Sequence, residues 1–203
     1  MMYVARILYP VRVLGPGERI GIWFAGCNHH CEGCSNPELW EKKAEYLVDI
    51  NVLTEMIRKI AGEHAVDGFT LTGGDPFLQP EALAELLPVL RMFSEDILVY
   101  TGYVYEELKK QYPHILAQIA VLIDGPYIEQ RNNNCPLRGS DNQRLIYCDT
   151  RFNEKYTTYL TNYTNQIQNF RARDGVISVG IHRPGYNEEF KERLRKKGVL
   201  TDE

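Results

Sequence analysis

Cys27, Cys31 and Cys34 fall within eight residues, in the string Ala25-Gly26-Cys27-Asn28-His29-His30-Cys31-Glu32-Gly33-Cys34-Ser35-Asn36-Pro37. Three thiolates on one short loop can hold three irons of a cubane cluster and leave the fourth iron without a protein ligand. An open iron is a place for chemistry, whereas a cluster with four cysteine ligands mainly carries electrons. Zinc is the alternative for closely spaced cysteines, usually as two pairs roughly 12 to 20 residues apart. Cys135 and Cys148 lie far downstream and lack such pairing. Two adjacent histidines, His29 and His30, would strain a tetrahedron within so short a loop, and exposure to solvent is their expected state.

A second chemical element follows. Asp67 to Thr72 reads as a short buried strand rich in β-formers, and it runs into Gly73-Gly74-Asp75-Pro76. Paired glycines after a strand let the chain turn sharply and bring bare backbone against a ligand; a plain strand-to-helix connection is the other reading.

In this combination the chain resembles the radical S-adenosylmethionine (SAM) superfamily. Its closer likeness is to the activating proteins of the anaerobic (class III) ribonucleotide reductase. The resemblance rests on the Trp-x-x-Gly-Cys lead-in (Trp23 to Cys27) and the Cys-x-Gly-Cys-x-Asn-Pro exit (Cys31 to Pro37). It continues through Leu71 to Pro76, Tyr100-Thr101-Gly102-Tyr103, Ile123-Asp124-Gly125-Pro126-Tyr127 and Leu137 to Arg144, an ordered series over residues 20–145. Two features depart from the wider pattern. Many radical SAM loops carry an aromatic residue before the last cysteine, where this chain has Gly33. The chain also continues for some fifty residues after Arg144.

The resemblance implies one [4Fe–4S] cluster held by Cys27, Cys31 and Cys34, with SAM on the fourth iron. Reductive cleavage of SAM then gives a 5′-deoxyadenosyl radical that abstracts hydrogen. In this family the donor is a glycine of the partner reductase, and flavodoxin or ferredoxin is the expected type of electron donor. Gly73, Gly74, Asp75 and Pro76 are expected at the SAM amino group, and Thr101 and Gly102 beside the cofactor. Asp124 is expected at the ribose or as a loop-orienting carboxylate. Arg138, Ser140, Asn142 and Gln143 are candidates for fixing a loop that closes the cavity, and Trp23 for packing beneath the cluster. Three functions remain open: a glycyl-radical activase, a radical SAM enzyme for another peptide or a small molecule, and a zinc-stabilised binding module without catalysis.

These groups need a scaffold, and the chain supplies a run of βα units. Residues 3–14 read as one or two short strands, and Arg19 to Ala25 as the strand feeding the cysteine loop. Leu53, Met56, Ile57 and Ile60 recur at helical spacing behind Asp49 or Asn51 as cap. Pro80 opens a helix carrying Leu83, Leu86, Leu87 and Leu90, which Pro88 is expected to kink or end early. Ile97 to Thr101 and Ile119 to Ile123 read as strands around a helix over Tyr105 to Gln111 and a shorter one from Pro113. The fold class expected is α/β, a partial (βα) barrel with mostly parallel strands. Its ligands would collect beyond the carboxyl ends of those strands. In the tail, Gln166 to Arg173 and Val176 to Ile181 form a hairpin turning at Asp174-Gly175. Asn187 then caps a helix with Phe190 and Leu194. The organisation expected is a core over residues 1–150 and an extension over 151–203 packed on it, not an independent domain.

Composition is consistent with such an enzyme. The 203 residues are 44% hydrophobic, enough for a full core. No apolar run of about 20 residues marks a membrane span, and the N-terminus lacks a secretion pattern. Five cysteines, three of them clustered, fit metal binding in a reducing, cytoplasmic setting. A net charge of −4 offers no bulk attraction to nucleic acid or acidic lipid.

Overall fold

The computed structural model describes residues 1–172 and 175–198. Strands β1 (Met2–Val11) and β2 (Arg19–Phe24) pair antiparallel, with Ile7 opposite Ile22 and Leu8 opposite Gly21. After the cysteine loop come β3 (Leu47–Val48), α1 (Ile50–Glu63), β4 (Gly68–Gly73), α2 (Pro80–Arg91) and β5 (Ile97–Tyr100). There follow α3 (Tyr105–Gln111), α4 (Pro113–Leu116), β6 (Val121–Asp124), β7 (Arg144–Tyr147) and α5 (Asn153–Asn162). The chain continues through β8 (Gln168–Ala172), β9 (Gly175–Val179) and α6 (Tyr186–Lys196). The first seven strands form one sheet in the order β3-β1-β2-β4-β5-β6-β7. Its centre, β2-β4-β5-β6, is parallel, as a run of βα units requires, and antiparallel strands flank it on both sides.

Side chains alternate between two apolar layers, the period-2 signature of strands buried on both faces. Ile20, Ile22, Phe24, Phe69, Leu71, Ile97, Val99 and Leu122 pack with the buried residues of α1 to α4. Trp23, Leu98, Val121 and Ile123 face the other way. There α5 supplies Tyr156, Tyr159 and Leu160, and the β8–β9 hairpin supplies Phe170, Ile177 and Val179. The tail therefore covers the face of the sheet that the core helices leave open.

Local expectations were met or corrected for identifiable reasons. Asp49 caps α1, its carboxylate accepting from the Asn51 N–H at 2.8 Å. Leu53 and Ile57 are buried, but Met56 sits one step off that stripe and is 48% exposed. α2 continues through Pro88 to Arg91. Pro88 is exposed in the last turns, where its missing N–H costs the helix one bond near its end. Residues 2–11 form one strand, where one or two short ones were expected. The tail hairpin pairs as expected, Ala172 opposite Gly175, while Asp174 of its turn lies outside the described residues. Asn187 falls inside α6; the N-cap is Gly185, whose φ of 74° is the left-handed conformation glycine tolerates.

A buried polar knot joins tail to sheet. Arg19, fully buried at the start of β2, donates to Thr70 Oγ1 at 2.8 Å, Phe69 O at 2.6 Å and Pro16 O at 3.1 Å. It also meets the Asp96 carbonyl at 3.0 Å and the Asp96 carboxylate at 3.1 Å. From α5, Tyr156 Oη and Lys155 Nζ donate to that carboxylate at 2.7 and 2.5 Å.

Candidate active site

The carboxyl ends of the parallel strands open into one cavity of about 190 Å³. β2 leads to Gly26 and the cysteine loop, β4 to Gly73-Gly74-Asp75, β5 to Thr101-Gly102 and β6 to Gly125. Cys27, Cys31 and Cys34 line the cavity together with Gly73, Gly74, Asp75, Thr101 and Gly102. Pro76 and Asp124 are not among its lining residues. Pro76 is buried at the first position of a 3-10 turn. Asp124 lies 1% exposed beneath the loop, its carboxylate accepting from the Tyr105 N–H at 2.8 Å and Arg144 Nε at 3.0 Å. Arg144 continues to Glu106, so this carboxylate fastens β6 to β7 and to the start of α3.

Main-chain bonds shape the cysteine loop. Gly26 N–H donates to Leu39 O at 2.8 Å, Cys27 N–H to Trp40 O at 2.9 Å, and Asn36 N–H to the Cys34 sulfur at 3.4 Å. Gly33 has φ of 68°, and a Cβ there would lie 2.5 Å from the Glu129 carboxyl carbon. The left-handed φ favours glycine here, while the Glu129 carboxylate is the end of a side chain that could give way.

The double glycine is required by backbone contact. Gly74 N–H donates to Phe24 O at 2.7 Å and Asp75 N–H to Gly26 O at 2.8 Å. A Cβ on Gly73 would come within 2.4 Å of Phe24 O, and one on Gly74 within 2.4 Å of Gly26 O. The turn is thus clamped against the segment entering the cysteine loop. Gly74→Ala is expected to lower stability by about 1–3 kcal/mol, because backbone cannot yield as a side chain can. Gly62→Ala, in α1 with nothing within 4 Å of the new Cβ, should instead raise it by roughly 0.5–1 kcal/mol. Thermal unfolding of the two variants checks both signs.

Asp75 joins the loops. Its carboxylate accepts from the Phe77 N–H at 2.9 Å, the Thr101 hydroxyl at 3.0 Å and the Gly102 N–H at 2.8 Å. His29 is half-buried, against the expectation of an exposed loop histidine. Its Nε2 is 3.3 Å from Asp75 Oδ2 but is not aligned for a hydrogen bond, and its ring meets Tyr103 edge-on at 4.7 Å. Gly102 makes room for that ring, since a Cβ there would lie 2.4 Å from His29 Cδ2. His30 is exposed and tilts against Trp40. On the other side, Gln143 Oε1 accepts from the Gly139 and Ser140 N–H groups while its Nε2 donates to Gly125 O. Asn142 Nδ2 donates to Pro126 O, the Ser140 hydroxyl accepts from the Ile128 N–H, and Arg138 donates to Gln143 O. This segment is fastened to the loop after β6.

The donor set fits an iron–sulfur cluster. Burial pushes the Cys27 and Cys34 thiols above their ordinary range, so they are protonated near neutrality and become ligands by releasing protons. The Trp40 indole N–H, buried without a hydrogen-bond acceptor, lies against Cys34, where a more negative sulfur would accept from it. Among the described residues no group of three or more His, Cys, Asp or Glu side chains is gathered to hold a metal ion. Cys135 and Cys148 do not line the cavity. The first donates to Asn133 Oδ1, and the second is pushed up to about 11 by burial against the helical layer.

Sequence reasoning missed one wall of this cavity. Ser178, Val179, Gly180, Ile181 and His182, from the end of β9 and the loop after it, line it alongside the cysteines. Nothing in the local pattern of those residues points to the cysteine loop. Among the described residues no helix is long and apolar enough to cross a membrane.

Comparison with known proteins places the core. The family described as a 4Fe–4S single cluster domain matches residues 13–146. An anaerobic ribonucleoside-triphosphate reductase-activating protein of Enterobacteria phage T4 is 36% identical over 144 residues, 68% of this chain and 90% of the phage protein. Proteins of the same name from Haemophilus influenzae and Pasteurella multocida are 38% and 35% identical. Those alignments cover 66% and 71% of this chain, and 92% and 96% of the relatives.

Proposed function

This chain belongs to the 4Fe–4S radical SAM family that includes the anaerobic ribonucleotide reductase-activating proteins, and from that premise we propose that it installs a glycyl radical on such a reductase. The observation that carries the proposal is the meeting of Cys27, Cys31 and Cys34 with the Gly73–Asp75 turn and the Thr101–Gly102 loop in one cavity. When bound, the cluster and SAM supply reductive cleavage of the cofactor to a carbon radical that removes hydrogen from the substrate. The residues of the chain hold and orient. Cys27, Cys31 and Cys34 would hold the cluster at the cavity they line. Gly73 and Gly74 would offer main-chain carbonyls to the cofactor's amino group, from a turn that their contacts with Phe24 and Gly26 hold in place. Asp75 holds the Thr101–Gly102 loop against this turn, and Asp124 holds the end of β6 to the start of α3 and, through Arg144, to β7. Flavodoxin or ferredoxin is the class of protein proposed to deliver the electron, in the cytoplasm.

One observation favours a second reading. This reading takes residues 1–150 as the radical SAM core and 151–203 as its extension, whose residues Ser178 to His182 border the cavity. A wall added beside the reacting centre suits a different peptide or a small molecule.

Electron paramagnetic resonance of the anaerobically reconstituted, dithionite-reduced protein tests both. The expected result is a reduced-cluster signal altered by SAM, then a glycyl radical signal when a class III reductase is added. SAM cleavage without any radical on the reductase would favour the second reading. A reducible cluster indifferent to saturating SAM would remove both.

A further inference from the structure

The segment from Ser178 to His182 lies beyond the stretch matched by the family, yet it borders the same cavity as the three cysteines. It is firmly built. Val179 is buried in an apolar cluster with Leu14 and Trp23, and Ile177 and Ile181 pack against that cluster. Gly180 bends with φ of 142°, at a point where a Cβ would lie 2.5 Å from Gln166 O. Asn132 Nδ2 donates to His182 O at 2.8 Å and to Tyr127 Oη at 3.2 Å, tying this loop to a core loop on the same cavity.

Its polar groups are left ready for a ligand. Ser178 Oγ lies 3.2 Å from His182 Nε2 and 3.0 Å from Tyr186 Oη, and the His182 ring stacks on Tyr186 at 4.5 Å. This fixes the imidazole, and burial keeps it neutral by lowering its pKa. Its other nitrogen, Nδ1, is buried without a partner, and His182 lines the cavity. A buried unsatisfied polar atom costs about 1–3 kcal/mol and marks a missing acceptor or donor. The same cavity is lined by Leu14, Trp23, Val179 and Ile181, and the tail residues that line it, Ser178 to His182, include no carboxylate, lysine or arginine. Such a wall suits a flat, neutral, heteroaromatic group with hydrogen-bonding edges and does not suit a carboxylate or an ammonium.

We propose that Ser178 and His182 form a subsite for the purine nucleoside part of the cofactor, His182 Nδ1 bonding its edge while Ser178 and Tyr186 hold the ring. The proposal rests on the radical SAM reading above and adds to it a contribution from outside the matched family region.

Affinity of the cluster-loaded protein for SAM, followed through the SAM-dependent change of the reduced-cluster signal, tests it. 5′-Methylthioadenosine, followed by calorimetry, probes the nucleoside alone. His182→Ala should weaken both ligands about tenfold, the worth of one hydrogen bond. Iron content and the signal without SAM should stay unchanged. His182→Gln, which keeps an amide near the lost nitrogen, should recover part of the affinity and guards against a folding defect in the alanine variant. Unchanged affinity for both ligands in either variant, with the cluster intact, overturns the subsite while leaving the radical SAM reading in place. A wild-type cluster that never responds to SAM overturns the two together.

Discussion

Replacing any one of Cys27, Cys31 and Cys34 by alanine is expected to abolish SAM cleavage, a fall on the order of a thousandfold or more, because the cofactor carries the chemistry and no side chain can stand in for it. The same substitution at Cys135 or Cys148 should leave iron, acid-labile sulfide and cleavage near wild-type values. The contrast follows from position. The three loop thiols share the cavity, whereas the other two are engaged elsewhere. All five are free thiols, so no disulfide competes. Loading should also depend on pH. Cys27 and Cys34 have thiol pKa values raised by burial and must lose their protons to bind iron, so reconstitution should run faster at pH 8.5 than at pH 7. Iron and sulfide analysis beside the cleavage assay decides the matter. A single-alanine variant of the loop that kept a full cluster and normal turnover would sink the assignment.

How far the sequence alone leads depends on whether a signal is local. The cysteine loop, the strand into Gly73-Gly74 and the leucine stripe of α2 announce themselves in short windows, and the structure has them there. β7 and α5 passed unnoticed. α5 reads Asn-Glu-Lys-Tyr-Thr-Thr-Tyr-Leu-Thr-Asn, poor in strong helix formers, and burial of Tyr156 at the sheet holds it more than propensity does. The tail hairpin was visible, but its target was not. Alternation in Gln168 to Ala172 says that one face is buried without saying against what, and the answer lies in Val11, Val13, Leu14 and Trp23, some 150 positions earlier. His29 is similar. Only the fold brings Asp75, Gly102 and Tyr103 around its ring. At Gly73 and Gly74 the residue type was legible while its cause was split. The glycines line the cavity, yet the atoms that forbid a side chain belong to Phe24 and Gly26.

Arg19 is the most informative omission, because in sequence it is only the charged start of a strand. Asp96→Asn is expected to destabilise the protein by about 3–5 kcal/mol, the range for breaking a buried ion pair and leaving one charge uncompensated. Arg19→Met should cost at least as much, since the guanidinium also satisfies the carbonyls of Pro16, Phe69 and Asp96. Tyr156→Phe removes one hydrogen bond to the same carboxylate and should cost about 0.5–1.5 kcal/mol. Lys155 is 39% exposed, so Lys155→Met should cost less than about 1 kcal/mol. The pair also has a pH signature. Burial alone would raise the Asp96 pKa; the Arg19 charge and the hydrogen bonds from Arg19, Lys155 and Tyr156 outweigh it and hold the pKa below the ordinary 3.8. A carboxyl depressed in the folded state contributes stability that is fully present above 3.8 and is lost as pH falls through the lower, folded value. Wild-type protein should therefore lose stability in acid below that point, and Asp96→Asn, already weakened at neutral pH, should lack that contribution. Thermal melts of the four variants across pH measure both effects. An Asp96→Asn variant no weaker than Lys155→Met would mean that α5 is held to the sheet by apolar packing alone.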